Sequence, residues 1–114
     1  MAPKITITRA TGTWVVRAGG AVLGESKNAL ELSEGEHPSV IYFPRSDIAT
    51  AFLDPSSHTS QCPHKGTASY YSIVTKSKTI ENAVWSYEAP LASVSKIKDH
   101  LAFYTSEDVA VERV

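Results

Sequence analysis

The stretch Cys62-Pro63-His64-Lys65-Gly66-Thr67-Ala68-Ser69-Tyr70-Tyr71 joins a turn to the start of a long β-rich run. Its proline sets a backbone angle that suits a turn, and its glycine permits the positive φ that often completes one. The β-branched and aromatic residues of 67–75 favour a strand, and Lys76-Ser77-Lys78 predicts a hairpin into a second strand over 79–87. This predicted hairpin is the centre of a β fold.

The rest of the chain predicts further short strands separated by turns. Two adjacent glycines, Gly19 and Gly20, can supply the positive φ values of a tight hairpin between strands at 14–17 and 22–26. The other predicted strands are 5–8, 29–32, 40–43, 58–61, 101–104 and 109–111. Strands spaced this closely, with turns between them, predict a mainly antiparallel β fold.

Two short helical segments are predicted among these strands. Ile48, Ala51 and Phe52 recur at helical spacing, which predicts one short helix near 45–53. A single helical turn is predicted near 91–97. Neither segment is long enough to change the fold class from mainly β.

Composition and charge exclude several classes of protein. The 114 residues predict a single domain, 1–114, and 42% of them are hydrophobic, which is enough for a core. Because 11 Lys and Arg face 12 Asp and Glu, we expect neither a nucleic-acid partner nor a membrane surface as partner. There is no apolar run of the ~20 residues that cross a bilayer, and no signal-peptide core. We therefore expect a cytoplasmic protein.

Cys62 is the one cysteine, so an internal disulfide and a zinc site built on cysteine pairs are both excluded. Lys65, and His64 when protonated, lie close enough in sequence to favour the thiolate, which would make Cys62 a nucleophile or a redox centre. Free cysteines also serve as small buried hydrophobic residues that pack the core or line a pocket. Both interpretations stay open.

Arg45 and Lys65 are candidate binding groups, because each follows a proline near the end of a predicted strand. Either cation can pair with a carboxylate or a phosphate of a ligand. The alternative is that both are solvated surface charges.

Four aromatic residues form a second candidate group: Tyr42, Tyr70, Trp85 and Tyr87. Strand periodicity places Trp85 and Tyr87 on one face, and it places Tyr70 opposite to Tyr71. If the strands at 67–75 and 79–87 pair, these rings can approach one another across the hairpin. They would then line a pocket with hydroxyl tips, or pack a sheet core.

The four histidines are scattered at positions 37, 58, 64 and 100, with no spacing that forces two of them together. A metal site would need such convergence, so we predict no metal and no cofactor. Pairings of Ser, His and Asp are too easily produced by chance to support a catalytic triad.

Several motifs together resemble those of one family. They are Tyr42-Phe43-Pro44-Arg45-Ser46-Asp47-Ile48, Cys62 to Tyr70, Ala83-Val84-Trp85-Ser86-Tyr87, Pro90, and Ile97 through Ala102-Phe103-Tyr104. With them the chain resembles the domain-of-unknown-function family numbered 427, over roughly residues 13 to 112. His64 and Tyr71 depart from the tyrosine and tryptophan that members usually carry at those positions.

The resemblance implies a β-tent, or Mss4-like, fold in which two antiparallel sheets lean together. Relatives of that architecture often bind zinc through two cysteine pairs, which this chain lacks. A nucleotidyltransferase label sometimes attached to the family has no support in this sequence, since it has neither a glycine-rich phosphate loop nor paired aspartates.

Three functions are compatible with these features. We expect a small binding protein that holds a small polar or anionic ligand in an aromatic-lined cleft, formed by Tyr42, Arg45, Cys62, Lys65, Tyr70, Trp85 and Tyr87. The first alternative is a small enzyme that uses Cys62. The second is a homodimeric interaction module that pairs through an exposed edge strand.

Overall fold

The structure is a computed structural model that describes residues 4–114. Regular backbone in this part of the chain consists of β-strands and short 3₁₀ turns, and every strand pair is antiparallel. The strands are β1 (Ile5–Arg9), β2 (Trp14–Ala18), β3 (Ala21–Ser26), β4 (Leu30–Glu34), β5 (Val40–Tyr42), β6 (Leu53–Cys62), β7 (Gly66–Val74), β8 (Thr79–Ser86), β9 (Ala102–Phe103) and β10 (Val109–Arg113). The prediction of a mainly β, antiparallel fold is confirmed.

The strands divide into three hydrogen-bonded sheets, where two were expected. Their strand orders are β1-β4-β5, β10-β2-β3 and β6-β7-β8-β9. Phe43 and Leu101 exchange two backbone hydrogen bonds of 2.8 Å, so the first and third sheets continue into each other at one residue pair. Pro44 directly after Phe43 has no N–H group, and it ends the ladder there. The β-tent assignment stays a prediction.

The turn predicted after Cys62 is present, and it joins β6 and β7 as a hairpin. Cys62 and Gly66 pair at the turn, where the Lys65 N–H donates to the Cys62 carbonyl at 3.3 Å and Gly66 has a φ of 115°. Beyond the turn, β7 pairs with both β6 and β8 and so occupies the interior of its sheet. Tyr70 and Trp85 stand directly opposite each other in the β7–β8 register.

The predicted helix near 45–53 is two separate 3₁₀ turns, Arg45–Asp47 and Thr50–Phe52. Ile48 between them is extended and forms a bridge with Gly24 of β3, and the Ala49 N–H donates to Leu23. This pairing with β3 competes with an α-helix for the backbone of the segment. The helical turn predicted near 91–97 is present as a 3₁₀ segment, Ala92–Ile97.

The strand predicted at 58–61 is much longer, because β6 begins at Leu53 and so includes residues 53–57 as well. Pro55 is tolerated there since β6 is an edge strand, and the pairing with β7 shifts register between Pro55 and Thr59. An edge position and a bulge are both tertiary features that the local sequence does not reveal.

Two hydrophobic clusters form the interior of the described part of the chain. One lies around Phe43, Val84 and Phe103, and the other around Tyr42, Tyr70 and Tyr87. The second cluster is rich in tyrosine, which brings several hydroxyl groups into a largely apolar setting. None of the helical segments between residues 4 and 114 is long and apolar enough to span a membrane.

Candidate functional site

A cavity of about 250 Å³ opens over the tyrosine-rich cluster, and we call it the tyrosine cleft. Strands and turns from the first and third sheets form its walls. The lining residues are Leu32, Glu34, His37, Pro38, Val40, Tyr42, Ser60, Lys65, Tyr70, Trp85, Tyr87 and Tyr104. This volume lies just below the roughly 300–1,000 Å³ of pockets for drug-sized ligands, so the cleft suits a smaller molecule.

Strand alternation explains why Tyr70, Trp85 and Tyr87 lie on one side. Tyr70 and Trp85 form a direct cross-strand pair, so their side chains share a face of the sheet. Tyr87 lies two residues beyond Trp85 and projects in the same direction. All three line the cleft.

Tyr42 enters the cleft from β5 in the neighbouring sheet. Its hydroxyl accepts a hydrogen bond of 3.2 Å from the Trp85 indole Nε1, and the two rings pack edge to face with centroids 6.3 Å apart. Tyr42 is almost fully buried, and this burial raises the pKa of its phenol to about 12. The phenol therefore stays neutral at physiological pH and holds Trp85 in place.

Tyr70 and Tyr104 form a second hydroxyl cluster. The Tyr70 hydroxyl lies 2.9 Å from the Ser60 Oγ and 3.4 Å from the Tyr104 hydroxyl. The His58 ring packs against the Tyr70 ring, with the two centroids 4.5 Å apart. The hydrogen bond with Tyr70, together with burial, raises the pKa of Tyr104 to about 12. The two tyrosine rings are stacked, with an interplanar angle of 9°.

Tyr87 differs from the other cleft tyrosines. It is 5% exposed, and its hydroxyl has no hydrogen-bond partner within residues 4–114. Every buried side-chain oxygen or nitrogen in that part of the chain has a hydrogen-bond partner. The unpaired Tyr87 hydroxyl is therefore accessible to solvent, and it is reached from the cleft that Tyr87 lines. Burial raises its pKa, which keeps it a neutral donor and acceptor.

Lys65 and Glu34 form an ion pair at the edge of the cleft. The Lys65 Nζ donates to the Glu34 Oε1 at 2.6 Å, and the side chains are only 12% and 17% exposed. Burial opposes the charge on Lys65, but the hydrogen bond to Glu34 and the electrostatic interactions with Glu34 and neighbouring groups together outweigh it, and the pKa of the amine is raised. The same bond lowers the pKa of Glu34, so both groups are charged at neutral pH.

Arg45 lies outside the cleft lining, on the opposite face of the β7–β8 hairpin. Its guanidinium donates to the Asp99 carbonyl at 3.1 Å, to the Ser86 Oγ at 3.1 Å and to the Tyr71 hydroxyl at 3.3 Å. It also lies 3.5 Å from Glu88. The structure therefore gives Arg45 several protein partners and does not bring it together with Lys65.

Cys62 is half-buried at the end of β6 and is not among the residues that line the cleft. It packs against the tyrosine-rich cluster. The amine of Lys65, which could have favoured the thiolate, is bonded to Glu34.

Several cleft residues were not among the candidate site residues predicted from the sequence. They include Glu34, His37, Ser60 and Tyr104. For Glu34, its position directly before Gly35, shortly after a predicted strand, was the sequence feature that could have pointed to it. Within the described chain, 4–114, no group of three or more His, Cys, Asp or Glu side chains could hold a metal ion.

Comparison with known proteins agrees with the resemblance seen in the motifs. No curated protein matches the chain. A family model described as "Domain of unknown function (DUF427)" matches residues 6–114. Because this match covers nearly the whole sequence, the chain belongs to the DUF427 family.

Proposed function

We propose that this protein is a binding module that holds a small polar ligand in the tyrosine cleft. The proposal is supported most directly by the Tyr87 hydroxyl, which faces the cleft on a largely buried side chain and has no protein partner in residues 4–114. Because no protein group occupies this hydroxyl, it is free to exchange a hydrogen bond with a ligand in the cleft.

The surroundings of Tyr87 support a polar ligand held in a defined orientation. Tyr42 fixes the Trp85 indole by a hydrogen bond, and Tyr70 is fixed by Ser60. These rings would provide flat apolar walls, while the phenol of Tyr87 would provide a hydrogen bond inside the cleft. Lys65 would contribute at the edge only through the amine protons that Glu34 does not engage.

A ligand-observed NMR screen tests this proposal with phenol, benzamide, benzoate and inorganic phosphate as probes. We expect at least one of the organic probes to bind, and Tyr87→Phe to weaken its binding by about 2- to 12-fold, the loss of one neutral hydrogen bond of about 0.5–1.5 kcal/mol. The fold of this variant should be retained because only an unpaired hydroxyl is removed.

Tyr71→Phe is the matched control. The Tyr71 hydroxyl lies on the opposite face, where it donates to Glu88 at 2.9 Å, so its removal should leave the dissociation constants unchanged. Equal dissociation constants for wild type and Tyr87→Phe, with every probe that binds, would show that the proposed site is wrong.

The two alternative functions stay predictions, each with its own measurement. A Cys62 that acts as a nucleophile would be alkylated rapidly in the folded protein, at a rate that rises with pH around a depressed thiol pKa. A homodimeric module would show twice the monomer mass in light scattering. A free thiol at Cys62 fits a reducing compartment such as the cytoplasm, which we propose as the location.

A further inference from the structure

A second concavity, which we call the outer groove, adjoins the tyrosine cleft. Its volume is about 510 Å³, twice that of the cleft. Trp14, Ile41, Phe103 and Val111 make much of its surface apolar, and they come from strands of all three sheets. The groove therefore lies where the sheets meet.

The groove and the cleft share a wall. Pro38, Val40, Trp85 and Tyr104 line both of them. The Trp85 and Tyr104 rings contact each other with centroids 4.4 Å apart, and Tyr104 is 51% exposed. A molecule that leaves the cleft past these two rings therefore arrives directly at the groove.

The charges of the two concavities disfavour an anion. In the cleft the cation of Lys65 is neutralised by Glu34 at 2.6 Å. In the groove the charged lining residue of the described chain is Glu31. An anionic head would have to compete with Glu34 for Lys65, whereas a neutral head can bond to Tyr87 without breaking the pair.

We propose that the ligand is amphipathic, with a neutral hydrogen-bonding head in the tyrosine cleft and an aromatic or short alkyl tail in the outer groove. This inference rests on the proposed function, since the head occupies the same cleft. Apolar surface buried in the groove would add affinity with each methylene of the tail.

The series from phenol to 4-butylphenol tests the inference in the intact protein. The chain has two tryptophans, Trp14 in the groove and Trp85 in the shared wall, so two indole N–H signals report on the two compartments. We expect phenol to shift the Trp85 signal alone and 4-butylphenol to shift both. The dissociation constant should fall about two- to fourfold for each added methylene.

Variants of Val111 separate binding in the groove from general hydrophobic affinity. Val111→Asp should abolish the gain from the tail while leaving the affinity for phenol unchanged. Val111→Thr, which keeps the shape and the β-branch, should reduce the gain in the same direction and serves if Val111→Asp does not fold. Val22→Asp is the control, because Val22 is a 56% exposed valine on β3 outside the groove lining.

The outcomes distinguish this inference from the proposed function. Suppose that phenol binds and that Tyr87→Phe weakens its binding. If longer tails then add no affinity, or if Val111→Asp does not affect the added affinity, the amphipathic ligand is ruled out and the cleft stays as a site. Tighter binding of benzoate than of benzamide would overturn the neutral head. A failure of every probe to bind at the cleft would overturn both proposals.

Discussion

The Lys65–Glu34 pair joins the turn after β6 to the end of β4, and both side chains are largely buried. Lys65→Met removes the cation and leaves the Glu34 carboxylate buried without its partner. We expect the free energy of unfolding to fall by about 1–3 kcal/mol, below the cost of breaking a fully buried pair, because some exposure remains. Urea denaturation at pH 7 measures this change.

Two further variants control for this effect. Lys78→Met breaks the pair between Lys78 and Asp108, whose side chains are 46% and 35% exposed, and it should cost less. Adding Glu34→Gln to Lys65→Met should restore part of the lost stability by removing the unpaired charge. A Lys65→Met variant as stable as Lys78→Met would contradict the role of burial in this pair.

The Lys65–Glu34 pair also predicts that the free energy of unfolding decreases in acid. Because the hydrogen bond to Lys65 lowers the pKa of Glu34 in the folded protein, the stabilisation by this pair is complete above the ordinary glutamate pKa of 4.5. It is lost as the pH falls through the lower folded value. Glu34→Gln should therefore flatten the decline in unfolding free energy below about pH 4.5. If the unfolding free energy of this variant declines below about pH 4.5 as steeply as that of the wild type, Glu34 is not the group responsible.

At the scale of elements, Gly24 allows β3 to approach the segment after β5. A Cβ atom at this position would collide with the Asp47 carbonyl oxygen and with Ile48, which forms a bridge to Gly24. We expect Gly24→Ala to lower the free energy of unfolding by about 1–3 kcal/mol through overpacking. Denaturant unfolding measures it, and Val22→Ala on the same strand, at an exposed position, should change stability much less.

Strands and turns that depend on local sequence signals were predicted, whereas elements that depend on pairing with a distant strand were not. The β7–β8 hairpin and the Gly19-Gly20 turn were predicted because alternation and positive-φ glycines are local signals. The helix near 45–53 was not correct in detail, because Ile48 pairs with a strand distant in sequence. The long β6 was missed for the same kind of reason, since its Pro55 is tolerated only at a sheet edge.

In the candidate site too, features set by local periodicity were predictable, whereas features set by pairing between distant segments were not. Periodicity placed Trp85 and Tyr87 on one face, and the register between β7 and β8 adds Tyr70 as the residue opposite Trp85. All three rings line the cleft. Arg45 and Lys65 were grouped by their positions near strand ends, but the face on which each side chain lies depends on tertiary pairing. Arg45 accordingly bonds to Tyr71 and Ser86 on the opposite face.

At the scale of the whole molecule, the buried phenols predict that stability falls in alkaline solution. Burial raises the pKa of Tyr42 to about 12 and also raises that of Tyr87, whereas the ordinary tyrosine value is 10.0. Between about pH 10 and 12 the unfolded chain has therefore lost phenol protons that the folded chain keeps, so the free energy of unfolding declines with pH. Lys65, whose pKa is also raised, acts in the same direction.

Urea denaturation at intervals from pH 8 to pH 11 measures this decline. Tyr42→Phe should lower stability at pH 8, because the Trp85 indole loses its acceptor, and it should flatten the decline above pH 10. An unfolding free energy that stays constant through pH 11 in the wild type would contradict the burial of these phenols.

A crystal structure with the tightest-binding phenol or benzamide probe would show whether the tyrosine cleft is the binding site. We expect a polar atom of the probe to lie about 2.7–3.0 Å from the Tyr87 hydroxyl, with the ring of the probe against Trp85. A probe that binds on the Arg45 face, with no contact to Tyr87, would contradict this expectation.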